Sequence, residues 1–418
     1  DFEPGGLNNH GDMAFGADIG PGVEGVFLRH NGQFAQLGGA GEAAPGGGTF
    51  GFAFLGPVDL NDQGDVAFNF LLEPFTPPFG VNAGTYRYSH STRSVTPIMM
   101  PFITPAPGGG TFQGTVFYPT INNRGDVVFP GIVETANGVH TMPPTGEAYI
   151  GLGIGIYRSD TRDHISSEVS PGDAAPGGGT FDYAVEPWIN NGGDVSFIGH
   201  IAGEESVVAG FPPQADLISA LGGLYVKTNA TGEVRTVVHA GDAAPGGGNF
   251  RQVFHDVMND RGEIAFGGDL TPAPGANESI GVFLYSGGGI TAIARPGDPM
   301  PGGGALVNAS IVGGNVHINN RGDVAFSGVV DTDVDGDGFD DTGLFLWSHG
   351  QVSLIARTGT VIPGVGTINE LASPQMVVPP APIATTTSGA INNDRGQIMF
   401  QATLGDGRGV FLLATPAN

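Results

Sequence analysis

One nine-residue phrase occurs seven times in this chain, and that repetition constrains the fold more than any other feature. It reads Leu/Ile-Asn-Asn/Asp-x-Gly-Asp-Val-Ala-Phe and appears at residues 7–15, 60–68, 121–129, 189–197, 258–266, 318–326 and, with one inserted residue, 391–400. Its leading Asn falls at Asn8, Asn61, Asn122, Asn190, Asn259, Asn319 and Asn392, so successive copies lie 53 to 73 residues apart. A second phrase, Gly-Val-Phe-Leu-Tyr or a close variant, follows each first one at residues 25–30, 84–89, 155–160, 223–228, 281–286, 343–348 and 409–414. A third, Ala-Pro-Gly-Gly-Gly-Thr-Phe, has its proline at Pro45, Pro107, Pro176, Pro245 and Pro301, with a degraded copy at Pro363.

Each phrase has a physical reading. Asn-Asn-x-Gly is turn chemistry, because Asn and Gly tolerate positive φ and Asn side chains mimic a backbone turn. Asp-Val-Ala-Phe alternates in period two, the pattern of a half-buried strand. Gly-Val-Phe-Leu-Tyr is apolar nearly throughout, as a strand covered on both faces would be. Segments such as residues 290–295 and 352–357 alternate again. Pro-Gly-Gly-Gly then turns the chain, and Phe181–Ile189 can supply a fourth strand.

Four short strands in about 60 residues make a propeller blade. The expectation is an all-β, seven-bladed β-propeller of four-stranded blades, one domain over residues 1–418, with repeats starting near 7, 60, 121, 189, 258, 318 and 391. Its ring would be closed by N- and C-terminal segments, with Phe2–Gly6 adding a strand to the 409–414 blade. That blade lacks its own Ala-Pro-Gly-Gly-Gly segment, which leaves an outer edge open to self-assembly. An open β-solenoid is the competing architecture, although its repeats are usually only about 20–45 residues.

Composition narrows the function. The 74 Gly and 32 Pro residues approach the level of low-complexity chains, but 40% hydrophobic residues and 27 Phe require a packed core. Against 41 acidic residues stand 15 basic ones, for a net charge of −26. Lys227 is the single lysine. Such a surface repels nucleic acid and attracts cations, and no basic stripe exists to neutralise phosphates. Absence of cysteine removes disulfides, thiolate metal sites and Cys nucleophiles. No run of about 18 apolar residues is present to insert in a membrane. The start at Asp1 suggests a processed or trimmed product, and the low lysine, high Gly/Thr/Asn and acidity lean towards an extracellular or cell-surface setting.

These residues resemble the bacterial tandem-repeat family named for its Asn-x-x-Gly-x-x-Ala-Phe motif, over nearly the whole chain. The resemblance implies a secreted or surface-anchored bacterial protein and carries over no catalytic residue. With no anchor segment of the family's kind read after Asn418, the expectation is a product that is cleaved, trimmed or anchored by other means.

The strongest chemical signal is the run from Asp331 to Asp341. Carboxylates at alternate positions, a Gly at the sharp turn and a further carboxylate are how a short loop wraps Ca²⁺ with oxygen ligands. The run resembles thrombospondin-type and dockerin-type calcium loops. On that register Asp333, Asp335, Asp337 and Asp341 give side-chain oxygens and Phe339 its backbone carbonyl; a register beginning at Asp331 is the alternative.

Other motifs have plainer explanations. Arg124-Gly125-Asp126 and Arg321-Gly322-Asp323 spell an adhesion tripeptide, but aligned copies vary the first residue, so the tripeptide is turn grammar. Asp12, Asp65, Asp126, Asp194 and Asp323 read as turn caps, the Pro-Gly-Gly-Gly runs precede strands and not phosphate-binding helices, and the ten His residues lie singly. The connections Glu134–Gly153 and Ala202–Leu221 vary most and are the expected binding face; Ala372–Gly389 reads as a surface excursion.

The functional expectation is a non-enzymatic extracellular or cell-surface propeller, structural or adhesive, whose partner is itself or an extracellular glycan. One alternative is a carbohydrate-binding propeller that stacks sugars on Trp188, Tyr183 or Trp347. The other is a hydrolase or lyase with axial carboxylates.

Overall fold

The computed structural model describes residues 2–3, 5–18, 24–53, 58–73, 82–141, 148–204, 222–271, 280–309, 316–371 and 389–415. Among them every regular element is a β-strand. The chain divides into two compact units, Asp12–Ala240, and Asp1–Gly11 together with Gly241–Asn418.

Within Asp12–Ala240 the second repeat shows the plan. Val66–Glu73 pairs antiparallel with Ala83–Ser89, and that strand with Ser94–Met99. The other side of Val66–Glu73 takes Thr49–Ala53 and Asp59–Leu60, two halves of one interrupted strand ending at the Asn61 corner. The strand after each Pro-Gly-Gly-Gly therefore belongs to the sheet of the next corner, and the turn is the handover between sheets. Phe181–Ile189 does so in the fourth repeat, pairing with Val195–Ile201. A single parallel contact, Ile154 to Tyr183, joins this sheet to the third. In the third repeat the long connection proves to be mostly strand: Val127–Thr141 and Ala148–Ser159 form one extended hairpin.

In the other unit, Phe250–Met258, Ile264–Leu270, Ile280–Ser286 and Gly289–Ala294 repeat the plan, as do the strands of the sixth repeat. The last sheet holds Gly366–Glu370, Ala390–Asn392, Ile398–Leu404 and Gly409–Ala414. Phe2–Gly6 adds no strand to it, contrary to expectation. The N- and C-terminal segments meet instead at the corner, where Asn393 Nδ2 donates to Asn8 O at 2.8 Å and Asp394 N to Asn9 Oδ1 at 2.8 Å.

In four of the sheets the core is built on rings from three adjacent strands. Phe181 meets Tyr225 edge-on at 4.9 Å, and Phe197 stacks on Tyr225 at 5.6 Å. Phe50/Phe68/Tyr86, Phe112/Phe129/Tyr157 and Phe250/Phe266/Phe283 repeat the arrangement. A Cβ at Gly199 would sit 2.8 Å from Phe181 and 3.0 Å from Tyr225, so the small residue two positions after the motif Phe makes room for the triad. The Pro-Gly-Gly-Gly turn needs glycine for another reason: Gly46, Gly47 and Gly48 have φ of +90°, +122° and +82°.

The corner Asn does two jobs. Asn122 Oδ1 accepts the amides of Arg124 and Asp126, both at 3.0 Å, which closes its own turn. Its Nδ2 donates to Asn190 O of the next corner at 3.3 Å. Asn61 reaches Asn122 in the same way, while Asn259 reaches Asn319 and Asn319 reaches Asn393. The second corner residue adds a parallel relay, with Asn123 N donating to Asn191 Oδ1 and Asn320 N to Asp394 Oδ1, each at 2.7 Å.

This relay corrects the seventh repeat. Its corner Asn is Asn393, which takes the amides of Arg395 and Gln397, so there is no inserted residue. Asn392 stands where other copies have Leu, Ile or Met and is buried against His317.

Candidate metal centre

The loop between Val324–Val330 and Asp341–Ser348 carries the acidic run. Its base is clamped. Asp341, with 1% of its side chain exposed, accepts Thr332 Oγ1 at 2.6 Å and Arg357 Nη2 at 2.8 Å. Arg357 also donates to Thr332 Oγ1 at 2.8 Å, and the Val334 amide points at both Asp341 oxygens. Thus Asp341 fastens the two ends of the loop.

Beyond the clamp the chain winds around Asp333. Gly336 N donates to Asp333 Oδ1 at 2.7 Å and Gly338 N to Asp333 Oδ2 at 3.2 Å. Asp337 N approaches Asp335 Oδ1, and Phe339 N donates to Asp337 Oδ1 at 2.9 Å. These turns bring one oxygen each from Asp333, Asp335 and Asp337 within 4.8 Å of one another. All three side chains are exposed. The oxygen donor set fits a hard cation such as Ca²⁺ and lacks the nitrogen or sulfur that zinc prefers.

The structure therefore brings together three of the residues expected from sequence and leaves Asp341 outside the group. Phe339 lies in the same loop with its ring 72% exposed. A residue not anticipated, Glu370 of the seventh repeat, feels the charge of the group without joining it. Burial pushes its carboxyl up, and the charges of Asp337 and Asp335 push it further. Leu371 N donates to Thr342 Oγ1 at 2.7 Å, which holds the end of Gly366–Glu370 beside the loop. Nothing in the spacing from Asp341 to Glu370 signals this approach. Asp340 is raised likewise, by burial and then by Asp331, Asp341 and Asp333.

The remaining candidates resolve simply. Among the described residues no other group of three His, Asp or Glu side chains converges on one point. Asp65 Oδ1 accepts His90 N and Asp194 Oδ1 accepts Asn229 N, both at 2.8 Å, so the motif acids cap hairpin turns. Trp188, Tyr183 and Trp347 are half-buried. Residues 142–147, 205–221 and 372–388, which hold much of the expected binding face and the surface excursion, lie outside the described residues. No helix among the described residues is long and apolar enough to cross a membrane.

Comparison with known proteins adds the family and the fold. Residues 2–417 match a family of unknown function, DUF7453. No curated protein matches the sequence. Among solved structures, a Mycobacterium tuberculosis puromycin-hydrolyzing peptidase aligns with 97% of this chain and 50% of its own, at 12% identity and a TM-score of 0.50. An acylaminoacyl peptidase of Pyrococcus horikoshii aligns with 99% of this chain and 50% of its own, at 11% identity and a TM-score of 0.49. The chain thus spans about half the length of these two peptidases. An ulvan lyase of a polysaccharide lyase family aligns with 97% of this chain and 89% of its own, at 11% identity and a TM-score of 0.46.

These identities establish the fold alone. The puromycin-hydrolyzing peptidase nevertheless overturns the expectation of a non-enzymatic chain: a protein named as a peptidase contains this β-fold, so regularity of the repeats gives no ground for excluding catalysis.

Proposed function

The chain belongs to DUF7453, a family of unknown function, and from its own residues we propose that it is a calcium-stiffened, seven-bladed propeller serving outside the cell as a structural or adhesive scaffold. The observation that carries this reading is the Asp333–Asp335–Asp337 group with Glu370 beside it. Packing these carboxylates costs free energy unless a cation joins them. Three exposed carboxylates, with the charge of Glu370 nearby, make a weak site, of the kind that fills at the roughly 10⁻⁴–10⁻³ M dissociation constants of extracellular calcium modules. Calcium here would stiffen the loop of the sixth repeat.

The corner relay supports ring closure. The same Asn-to-carbonyl step recurs in both units, and Asn8 and Asn9 receive from the last corner just as inner corners receive from their neighbours. The partner is a second copy or an extracellular glycan presented to the variable ends of the sheets.

Isothermal titration with CaCl₂ tests the reading. Uptake of one calcium at millimolar concentration is expected, together with about 1.4 kcal/mol of added stability at ten times the dissociation constant. Asp335→Asn and Glu370→Gln should each weaken uptake. A flat titration in millimolar calcium removes the proposal.

A second reading, a hydrolase or lyase, has one observation in its favour. Burial pushes the Asp59 carboxyl up to about 6, although the amides of Ile121 and Leu60 pull against it. A carboxyl poised there can give or take a proton near neutrality. Turnover of a polysaccharide or peptide panel that vanishes in Asp59→Asn, with the fold intact, would establish it.

A further inference from the structure

Four titratable side chains alternate acid and base at one end of the fourth sheet. Asp182 lies at the start of Phe181–Ile189, His200 near the end of Val195–Ile201, Glu204 in the turn that follows, and His239 at the end of Val234–His239. Asp182 Oδ1 is 2.6 Å from His200 Nδ1, and Glu204 Oε1 is 3.2 Å from His239 Nε2. The His200 side chain is 8% exposed, whereas Asp182 and Glu204 keep 35% and 33% exposure. Tyr183 lies on His200 with 5.6 Å between ring centres, and Tyr225 meets His239 edge-on at 6.5 Å. This cluster is no part of the repeat grammar. The aligned pair in the fifth sheet is Arg251 with Asp269, which reverses the order of charge.

We propose that Asp182, His200, Glu204 and His239 form a proton-operated clasp that fastens Ala202 and Glu204 to the end of this sheet. Both residues also make backbone bonds there, Ala202 N to Thr180 O at 2.8 Å and Glu204 N to Ile201 O at 3.1 Å. A protonated His200 holds the Asp182 carboxylate through a charged hydrogen bond and attracts the Glu204 carboxylate, which also meets His239. A neutral His200 keeps at most its hydrogen bond to Asp182 and loses its attraction for Glu204.

The direction follows from the surroundings of His200. Burial alone disfavours its charged form, but the hydrogen bond and charge of Asp182, and then the Glu204 charge, outweigh it and raise the imidazolium above its ordinary value. The clasp is accordingly closed below the ordinary histidine range and opens as pH rises through the raised value.

The test is side-chain and amide NMR on ¹⁵N-labelled protein. His200 should titrate above about 6.5. Exchange protection of the Ala202 and Glu204 amides, corrected for base-catalysed chemical exchange, should fall about tenfold across that titration, as the loss of one charge-assisted contact implies. In Asp182→Asn the midpoint should drop and protection should become insensitive to pH. Should that variant not fold, Glu204→Gln, at the exposed side of the clasp, should lower the His200 midpoint by a smaller amount. A wild-type His200 that titrates at or below the ordinary value, pH-independent protection, or a midpoint unmoved by Glu204→Gln overturns the clasp.

Discussion

Every sheet in this molecule has two unlike ends. At the corner end, Asn side chains close their own turns and donate to the next corner, with the same atoms and nearly the same distances in copy after copy. At the other end, where the Pro-Gly-Gly-Gly turns and the variable connections lie, each repeat solves a different problem: a clamped acidic loop in the sixth, an acid–base cluster in the fourth, an extended hairpin in the third. The difference teaches where stability and novelty reside. A side chain serving two turns at once cannot change without disturbing both, whereas a connection anchored only at its base can be rewritten.

The largest effect should come from breaking the first end. Asn122→Ala removes the acceptor for Arg124 N and Asp126 N and the donor to Asn190 O, inside a corner where Asn122 is 3% exposed. Leaving several buried polar groups unpaired should cost about 4 kcal/mol, read as a lower urea midpoint. Asp335→Asn, in the exposed loop at the opposite end, should cost nearly nothing in calcium-free buffer. Equal losses in the two variants would erase the contrast.

Next comes a place where the variable end is built like a core. Arg357→Ala strips the Asp341 carboxylate of its cation and leaves Thr332 Oγ1 with Asp341 alone. An unpaired buried carboxylate should cost about 3 kcal/mol and weaken calcium uptake as well, since the clamp shapes the loop. Loss of calcium binding without loss of stability would instead make Asp341 a ligand.

Legibility in the sequence divides along the same line. Asn-Asn-x-Gly and Pro-Gly-Gly-Gly announce turns because their demands are local, and the alternation that follows announces strands. The relay is not legible, since a turn uses only one side of the Asn and the partner carbonyl lies 61 or 68 residues away. Asn392 disguises the seventh register for a related reason: Ile391-Asn392-Asn393 imitates the motif one residue early, and the amides that Asn393 accepts, with Asn392 buried against His317, reveal the true corner. At the other end, alternate carboxylates at Asp333, Asp335 and Asp337 could be read directly, because a metal loop imposes a short spacing. Asp341 fits that spacing too, but the nearby Arg357 claims it. Glu370 arrives through sheet packing that no local pattern encodes.

The two ends should also titrate in opposite senses. Burial pushes His317, just before the Asn319 corner, down to about 4, against the pull of Asn392 and Asp394. The folded state then binds fewer protons than the unfolded one between about pH 6.5 and 4, so acidification through that window destabilises. The loss should approach about 2 kcal/mol by pH 5, and His317→Gln should flatten it. His200 at the variable end is raised instead, so its contribution is complete below the ordinary histidine value and fades as pH climbs. Stability curves of the two single variants that bend in the same direction would contradict this assignment.

The smallest effect concerns a glycine position that the variable end has allowed to drift. The residue whose amide answers the first-strand Phe, Leu or Ile carbonyl is Gly41, Gly172, Gly241, Gly297 or Gly359 in five turns, with φ between +83° and +95°. In the third repeat it is Phe102, with φ +61°, donating to Phe112 O at 2.7 Å and 51% exposed. A bulky residue in the left-handed region is strained, and little burial offsets the strain here. The variants that isolate the backbone are Phe102→Gly and Phe102→Ala, which lose the same ring. At an ordinary position glycine is the weaker of the two by about 0.5–1 kcal/mol. Here the order should invert, with Phe102→Gly the more stable by about 1 kcal/mol in urea titrations, because only alanine must keep a Cβ at positive φ. Such an inversion would show that the turn tolerates a wrong residue at modest cost, a tolerance that no corner Asn shares.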